Sequence, residues 1–383
     1  MTPRVDDSDL LRLLGRPLRA RLTNTDRRTF AGSRVLITGA GGSIGSELAR
    51  EIAACSPARL GLLDHSEYNL FQIERELRDR WPKLSIVPCL TDVTRAAHVR
   101  QAFARVQPKV VYHAAACKHV TLSERAIAVA AEVNVLGTAI TAAASIEAGA
   151  RYVLISSDKA ASPEGVMGAT KRLAELVVLS RAAGTFRPVV VRFGNVLGSS
   201  GSVLEIMQDC VRAGRPIPIT DPGATRFFMT ASEAVALVVR ADRTATGPDT
   251  FWLDLGSPLC VGELAERVLA LEQEKTTGVR SAEFEIVGMR PGEKLHEQLF
   301  DMGLVFQRTP DRRIWRAQHP PVDQTAINLI LRRLRDTTDR ADDAATLAVL
   351  TDAVTGFVVS EETRRAALTA PGAASARPKR RVA

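Results

Sequence analysis

At 383 residues with 45% apolar composition, the chain can bury a large core and reads as one α/β domain with a smaller second lobe. Much of its formal charge of +8 sits at the ends (Arg16, Arg19, Arg21, Arg27 and Arg28; Arg377, Lys379, Arg380 and Arg381), and with few aromatics and no stacking motif it excludes nucleic-acid binding, leaving weak contact with anionic lipid as the functional use of a basic tail. Five scattered cysteines exclude a disulfide framework and a metal site and fit a reducing cytoplasm, and no apolar run is expected to reach the roughly 18 residues that span a bilayer.

Residues 1–30 read as a lead-in helix and linker, with Leu10, Leu11, Leu13 and Leu14 available for contacts between copies of a homo-oligomer. A buried strand at 34–37 then runs into Thr38-Gly-Ala-Gly-Gly-Ser-Ile-Gly45 and a helix. Gly39, Gly42 and Gly45 are spaced as in a dinucleotide-binding βαβ turn, with Ser43 and Ile44 opening the helix whose free N–H groups face a pyrophosphate. The next strand ends in Asp64, placed to accept both ribose hydroxyls and to repel a 2′-phosphate, which favours NAD over NADP.

A helix over 67–80 and a strand over 84–88 lead to Thr91-Asp92-Val93, where Asp92 either meets the adenine amino group or caps the next helix. A helix over 95–105 and a strand over 110–113 follow. After them, the small residues Ala114 and Ala115 let a cofactor lie close to the backbone, and a helix is expected over 124–148, carrying Asn134 as a buried structural amide.

The run Tyr152-Val-Leu-Ile155 is a strand, so Ser157, Asp158 and Lys159 fall at its carboxyl end, where open α/β sheets hold their ligands. Met167 and Lys171 are spaced i,i+4 and share one face of the helix that follows. Enzymes that oxidise alcohols with a nicotinamide often carry Tyr and Lys at these two positions; here the first is Met. A helix to 183 and a strand over 189–192 complete a doubly wound, Rossmann-type parallel sheet of six or more strands.

Beyond Asn195, Ser199-Ser-Gly-Ser202-Val203 opens a helix suited to a phosphate. Arg226 and Arg290, each in a turn, are the best diphosphate partners because a planar guanidinium can bind phosphate bidentately. Residues 361–383 are small, Pro-containing and basic and read as a disordered tail.

Taken in order, these pieces resemble the extended short-chain dehydrogenase/reductases that act on nucleotide sugars, within them the CapD-like group of UDP-N-acetylglucosamine 4,6-dehydratases. The matching residues are Thr38–Glu47, Leu63-Asp-His-Ser-Glu-Tyr-Asn-Leu70, Lys118-His119-Val120, Ser157-Asp-Lys159, Val166–Glu175, Gly194–Gly198, Thr225–Thr230 and Arg290-Pro-Gly-Glu293-Lys-Leu295. The resemblance implies a NAD-binding domain over 31–194, whose core recruits later strands, and a nucleotide-sugar lobe with C-terminal helices over 195–360. It implies tightly held, recycled NAD, and a UDP-sugar held by Lys118, His119, Asn195, Ser202, Val203, Arg226, Arg290 and Glu293. Met167 places the chain with the branch that retains configuration at C5. That branch usually has membrane helices ahead of this domain, so the sequence resembles its catalytic half. Cys117 and Ser157 depart from the His and Thr common at those positions.

The implied chemistry oxidises C4, removes H5, expels water across C5–C6 and returns hydride to C6. Asp158 is expected to protonate O6 and Lys159 to take H5, which requires neighbours or burial to lower the lysine's pKa. Ser157, relaying toward Asp158, is the candidate for the 4-hydroxyl proton, with Lys171 orienting the ribose and Met167 shaping the pocket. A nucleotide-sugar 4-epimerase and a non-catalytic NAD-binding sensor or scaffold are the alternatives.

Overall fold

Short runs rich in Val, Leu and Ile, bounded by Gly, Asp and Ser, alternate with longer amphipathic runs, and the chain folds as strands alternating with helices. A computed structural model describes residues 6–254, 256–275, 283–298, 300 and 304–369. Helices α1 (Asp7–Leu14) and α2 (Asn24–Arg28) come first, followed by β1 (Arg34–Thr38), α3 (Ser43–Ala53), β2 (Arg59–Asp64), α4 (Glu67–Arg80), β3 (Ile86–Leu90), α5 (Ala96–Val106) and β4 (Val110–His113). Next are α6 (Val120–Arg125), α7 (Ile127–Ala131), α8 (Thr138–Glu147), β5 (Arg151–Ile155), α9 (Val166–Ser180), β6 (Val189–Arg192) and β7 (Asn195–Val196). The second region holds α10 (Val203–Arg212), β8 (Ile217–Ile219), β9 (Thr225–Arg226), β10 (Phe228–Met229), α11 (Ala231–Thr244), β11 (Asp249–Leu253), β12 (Leu259–Cys260), α12 (Val261–Lys275) and β13 (Phe284–Ile286). Last come β14 (Val305–Arg308), β15 (Ile314–Gln318), α13 (Gln324–Asp339), α14 (Asp343–Ala353) and α15 (Glu361–Thr369).

Nine strands form one sheet in the order β14-β15-β11-β6-β5-β4-β1-β2-β3. Seven are parallel; β15 runs antiparallel to β11, and β14 to β15. The parallel strands are buried on both faces, as helices covering a sheet require: Val35 and Ile37 of β1 enter one apolar cluster and Leu36 the other. β1 lies between β2 and β4, so the strand order reverses there and opens a crevice at their carboxyl ends. The doubly wound sheet expected from the sequence is present, and three of its strands come from residues beyond 195.

The helix expected over 124–148 is broken. A wide π turn, Glu132–Gly137, joins α7 to α8. It turns the Asn134 amide onto Cys117, and Gly137 admits Val93 so closely that a Cβ there would lie 2.7 Å from Val93 Cγ2. Contrary to the expectation of no run of such length, 127–147 is long and apolar enough to cross a membrane, with mean hydropathy 1.6, but 72% of its apolar window is buried inside the fold.

The ends also differ from expectation. Leu10, Leu13 and Leu14 bury against α10 and α12, and Arg16 pairs with Glu233 at 2.7 Å, so 6–30 packs as a strap on the second region. The tail read as disordered begins as a helix: Ser360 caps α15, Ala367 is buried, and Thr363 Oγ1 donates to Glu124 Oε2 at 2.6 Å. Residues 370–383 lie outside the described residues.

Candidate active site

The glycine turn is built for close approach. Gly39 has φ +65°, and a Cβ on it would fall 2.7 Å from the Ala115 nitrogen; a Cβ on Gly45 would fall 2.0 Å from Gly39 O. Gly42 is the N-cap of α3 without a side-chain cap, leaving the N–H groups that begin at Ser43 and Ile44 facing outward. Asp64 is buried and accepts from Gly41 N at 2.8 Å and Ser66 N at 2.9 Å. Ala114 and Ala115 border the same crevice from β4. A cradle that a Cβ would fill, a bare helix N-terminus and an oriented carboxylate fit a dinucleotide. Asp92 Oδ1 accepts from Thr94 N at 2.8 Å in the turn ahead of α5, whose N-cap is Arg95 with no side-chain cap hydrogen bond, so Asp92 does not cap that helix; Val93 is buried against Gly137.

Ser157, Asp158 and Lys159 lie at the end of β5, as the sequence indicates. The platform beneath them is rigid: Glu175 of α9 accepts from Ser156 Oγ at 2.5 Å and from Arg192 Nε at 2.6 Å, with Glu175 and Arg192 fully buried. Burial raises the Glu175 pKa, but Arg192, Arg172 and Ser156 outweigh it and hold it at about 2. Above this platform Ser157 Oγ donates to Asp158 Oδ1 at 2.9 Å, so the two side chains are in direct contact.

Lys159 Nζ meets three acceptors, Asn195 Oδ1 at 3.0 Å, Asp158 Oδ1 at 3.1 Å and Glu297 Oε1 at 3.3 Å. Three acceptors match the three donors of an ammonium. Burial pushes its pKa down, but Asp158 and Glu297 more than offset this, so Lys159 is held above the ordinary lysine value. This corrects the expectation of a lowered pKa. Lys171 is lowered instead: desolvation brings it to about 8 against the opposing pull of Glu175, and its Nζ donates to Ile155 O at 2.6 Å. Met167, one turn earlier on α9, is buried and shares a small cavity with Lys159, Lys294 and Glu297.

The expected substrate residues fall into two groups. Lys118 Nζ donates to Ser200 O at 2.6 Å, Ser200 N donates to Ser43 Oγ at 3.1 Å, and Gly201 packs on the His119 ring, so the 198–202 loop crosses to the glycine turn. Ser202 is the N-cap of α10 ahead of Val203, and its hydroxyl is buried with no partner among the described residues. On the other side Arg226 donates to Leu295 O at 3.1 Å, and Thr225 N donates to Leu295 O at 3.0 Å, which lays the Arg290–Glu297 segment along β9. Arg290 is exposed, and its backbone N–H donates to Glu293 Oε2 at 3.2 Å. Asn195 orients Lys159.

Sequence reasoning missed Glu297, Lys294 and Glu124. Lys294 Nζ donates to Ser162 O at 2.6 Å and Ala161 O at 3.2 Å, fastening this segment to the loop after Lys159. Glu124 accepts from Val166 N at 2.6 Å at the start of α9. The available signal was the pair of acids in Gly292-Glu-Lys-Leu-His-Glu297, which carries no periodicity.

Residues 35–319 match the family model described as polysaccharide biosynthesis protein. The chain belongs to that family. It is 37% identical over 311 residues to the capsular polysaccharide biosynthesis protein CapD of Staphylococcus aureus, an alignment covering 80% of this chain and 51% of that protein. It thus spans about half the length of that curated relative. Among solved structures, Pen from Bacillus thuringiensis superposes with a TM-score of 0.70 at 28% identity, covering 79% of this chain and 98% of that one. DesIV of Streptomyces venezuelae, a dTDP-glucose 4,6-dehydratase solved with NAD, shares the fold with a TM-score of 0.59 at 20% identity, covering 70% of this chain and 88% of that one. The polysaccharide-biosynthesis resemblance read from the motifs is thereby the family to which the chain belongs, and its fold is that of the short-chain dehydrogenase/reductases.

Proposed function

We propose that this chain is a NAD-dependent nucleotide-sugar 4,6-dehydratase that converts UDP-N-acetylglucosamine to the 4-keto-6-deoxy sugar nucleotide with retention at C5. The observation that carries the reading is the Asp158–Lys159 pair, a buried carboxylate and a half-buried amine 3.1 Å apart at the ligand end of β5, beside Met167. An elimination across one carbon–carbon bond needs an acid and a base side by side, and a simple dehydrogenase or epimerase does not.

NAD, when bound, supplies the temporary oxidation at C4 and the hydride returned to C6. The glycine turn, Asp64, Ala114, Ala115 and Lys171 would hold it, with Asp92 and Val93 toward the adenine end. Ser157 accepts the 4-hydroxyl proton and passes its own to Asp158 Oδ1. Lys159 rests as an ammonium and must lose a proton before it can take H5. Asp158 receives the 4-hydroxyl proton through Ser157 and holds only one, so the Lys159 proton leaves to solvent, to which its side chain is 20% exposed. Arg226 and Arg290 would bind the diphosphate, with Glu293 bracing Arg290, while Lys118, His119, Ser202 and Val203 close the site from the α10 side. With a thioether that cannot exchange protons, Met167 shapes the pocket.

The test is to incubate the protein with UDP-N-acetylglucosamine and a panel of UDP- and GDP-sugars and follow product mass. A product lighter by one water supports the proposal. An epimer of unchanged mass, or NAD that copurifies without any turnover, overturns it in favour of an epimerase or a sensor.

A further inference from the structure

Glu297 is a carboxylate that the chemistry above does not use. It arrives from a segment far from β5 in sequence, yet its side chain is 2% exposed and its Oε1 lies 3.3 Å from Lys159 Nζ and 3.8 Å from Arg226 Nε. Its Oε2 is buried with no hydrogen-bond partner among the described residues. A carboxylate kept only as a structural counter-ion is expected to satisfy both oxygens, because a buried unpaired acceptor is costly. The placement is also firmly set: Lys294 ties the segment to Ala161 and Ser162, and Leu295 O accepts from both Thr225 N and Arg226 Nη1.

We propose that Glu297 is a positioning residue for the elimination step, the counter-ion that stabilises the Lys159 ammonium at the moment H5 is taken. The inference rests on the dehydratase reading and concerns the same site. Once C4 is a ketone, H5 is acidic and can leave before the C6–O6 bond breaks. Its proton then sits on Lys159 Nζ and the C5–H electron pair is held as the enolate of the ketone. During that interval Asp158 still carries the proton meant for O6, so it is neutral and cannot balance the new ammonium. Asn195 Oδ1 is neutral as well. Among the described residues that pair with Lys159, Glu297 alone supplies a negative charge. The enolate electrons next form the C5–C6 double bond, O6 takes the Asp158 proton and departs as water, and Asp158 regains the charge seen in the resting pair. The cluster takes one proton from the 4-hydroxyl group and one from C5, gives one to O6 and one back to C5 as hydride returns to C6, and so ends a turnover with the charge it began with.

A counter-ion needed only for H5 removal leaves the first oxidation untouched, and the measurement exploits this. Full-length Glu297→Gln, which keeps shape and removes charge, is mixed with UDP-N-acetylglucosamine while NADH absorbance and product mass are followed together. NADH is expected to appear at the wild-type rate and to accumulate, while water loss and solvent-deuterium entry at C5 slow by about a hundredfold. Glu297→Asp, which keeps the charge on a shorter arm and guards against a Gln variant that folds poorly, is expected to fall between the two. The proposal is overturned if Glu297→Gln dehydrates at the wild-type rate, or if NADH formation and water loss decline by the same factor, as a purely structural role would give. Should wild-type protein itself release no lighter product, the dehydratase reading fails first and takes this one with it.

Discussion

Gly41 donates its backbone N–H to Asp64 Oδ2 at 2.8 Å, so the glycine turn after β1 and the acid that ends β2 form one hydrogen-bonded unit. Ser66 N holds the other oxygen, and the carboxylate is aimed before any cofactor arrives. Asp64→Asn places an amide nitrogen, which cannot accept, against one of those two donors. NAD affinity is expected to drop by about tenfold and the preference over NADP to narrow, since a hydrogen bond to a charged group contributes roughly 1.5–3 kcal/mol. Titrating both cofactors checks this; an unchanged affinity and preference would remove Asp64 from the cofactor site.

Asp158→Asn separates the two enzymatic readings. The amide cannot carry the O6 proton, so release of the dehydrated sugar is expected to fall by about a thousandfold, within the range for loss of a general acid. An epimerase needs no acid at C6 and would keep most of its activity in the same variant. Product mass after overnight incubation distinguishes the two.

Met167→Leu tests whether the thioether does anything beyond filling space. Met and Leu have similar volume and neither exchanges protons, so turnover is expected to stay within about threefold of wild type. A loss well beyond tenfold would mean that the sulfur itself contacts the reacting groups.

Lys171 gives a pH dependence with a defined sign. Its folded pKa, brought to about 8 by burial, is below the ordinary lysine value of 10.5. Between those values the unfolded chain binds the extra proton and the folded chain does not, so this group makes stability rise as pH climbs from about 8 to 10.5. Below pH 8 both states are protonated and its penalty, on the order of 3 kcal/mol, is constant. Thermal melts of the cofactor-free protein across that range should therefore climb more steeply for wild type than for Lys171→Met. Parallel curves would contradict the assignment.

Gly45→Ala is expected to disable the cofactor turn. Its Cβ would lie 2.0 Å from Gly39 O, backbone against backbone, and no side chain can swing aside. The strand and α3 must then separate, at a cost of about 1–3 kcal/mol for overpacking, and copurified NAD should be lost. Normal melting with NAD retained would show that the turn relaxes more easily than its geometry indicates.

The sequence alone determined the alternating sheet, the glycine turn with its acid, and the arrival of Ser157, Asp158 and Lys159 at one strand end, because these depend on local spacing and on periods of two and 3.6 residues. Tertiary structure decided the rest. The π turn at Glu132–Gly137 carries Asn134, which reaches back to Cys117, and α1 and α15 are ordered by surfaces they meet only after folding. The charge state of Lys159 was decided the same way. Neighbours in sequence supply one carboxylate, whereas Glu297, 138 positions later, supplies the second. Electrostatic environment depends on distance through space, and no pattern along the chain encodes that distance.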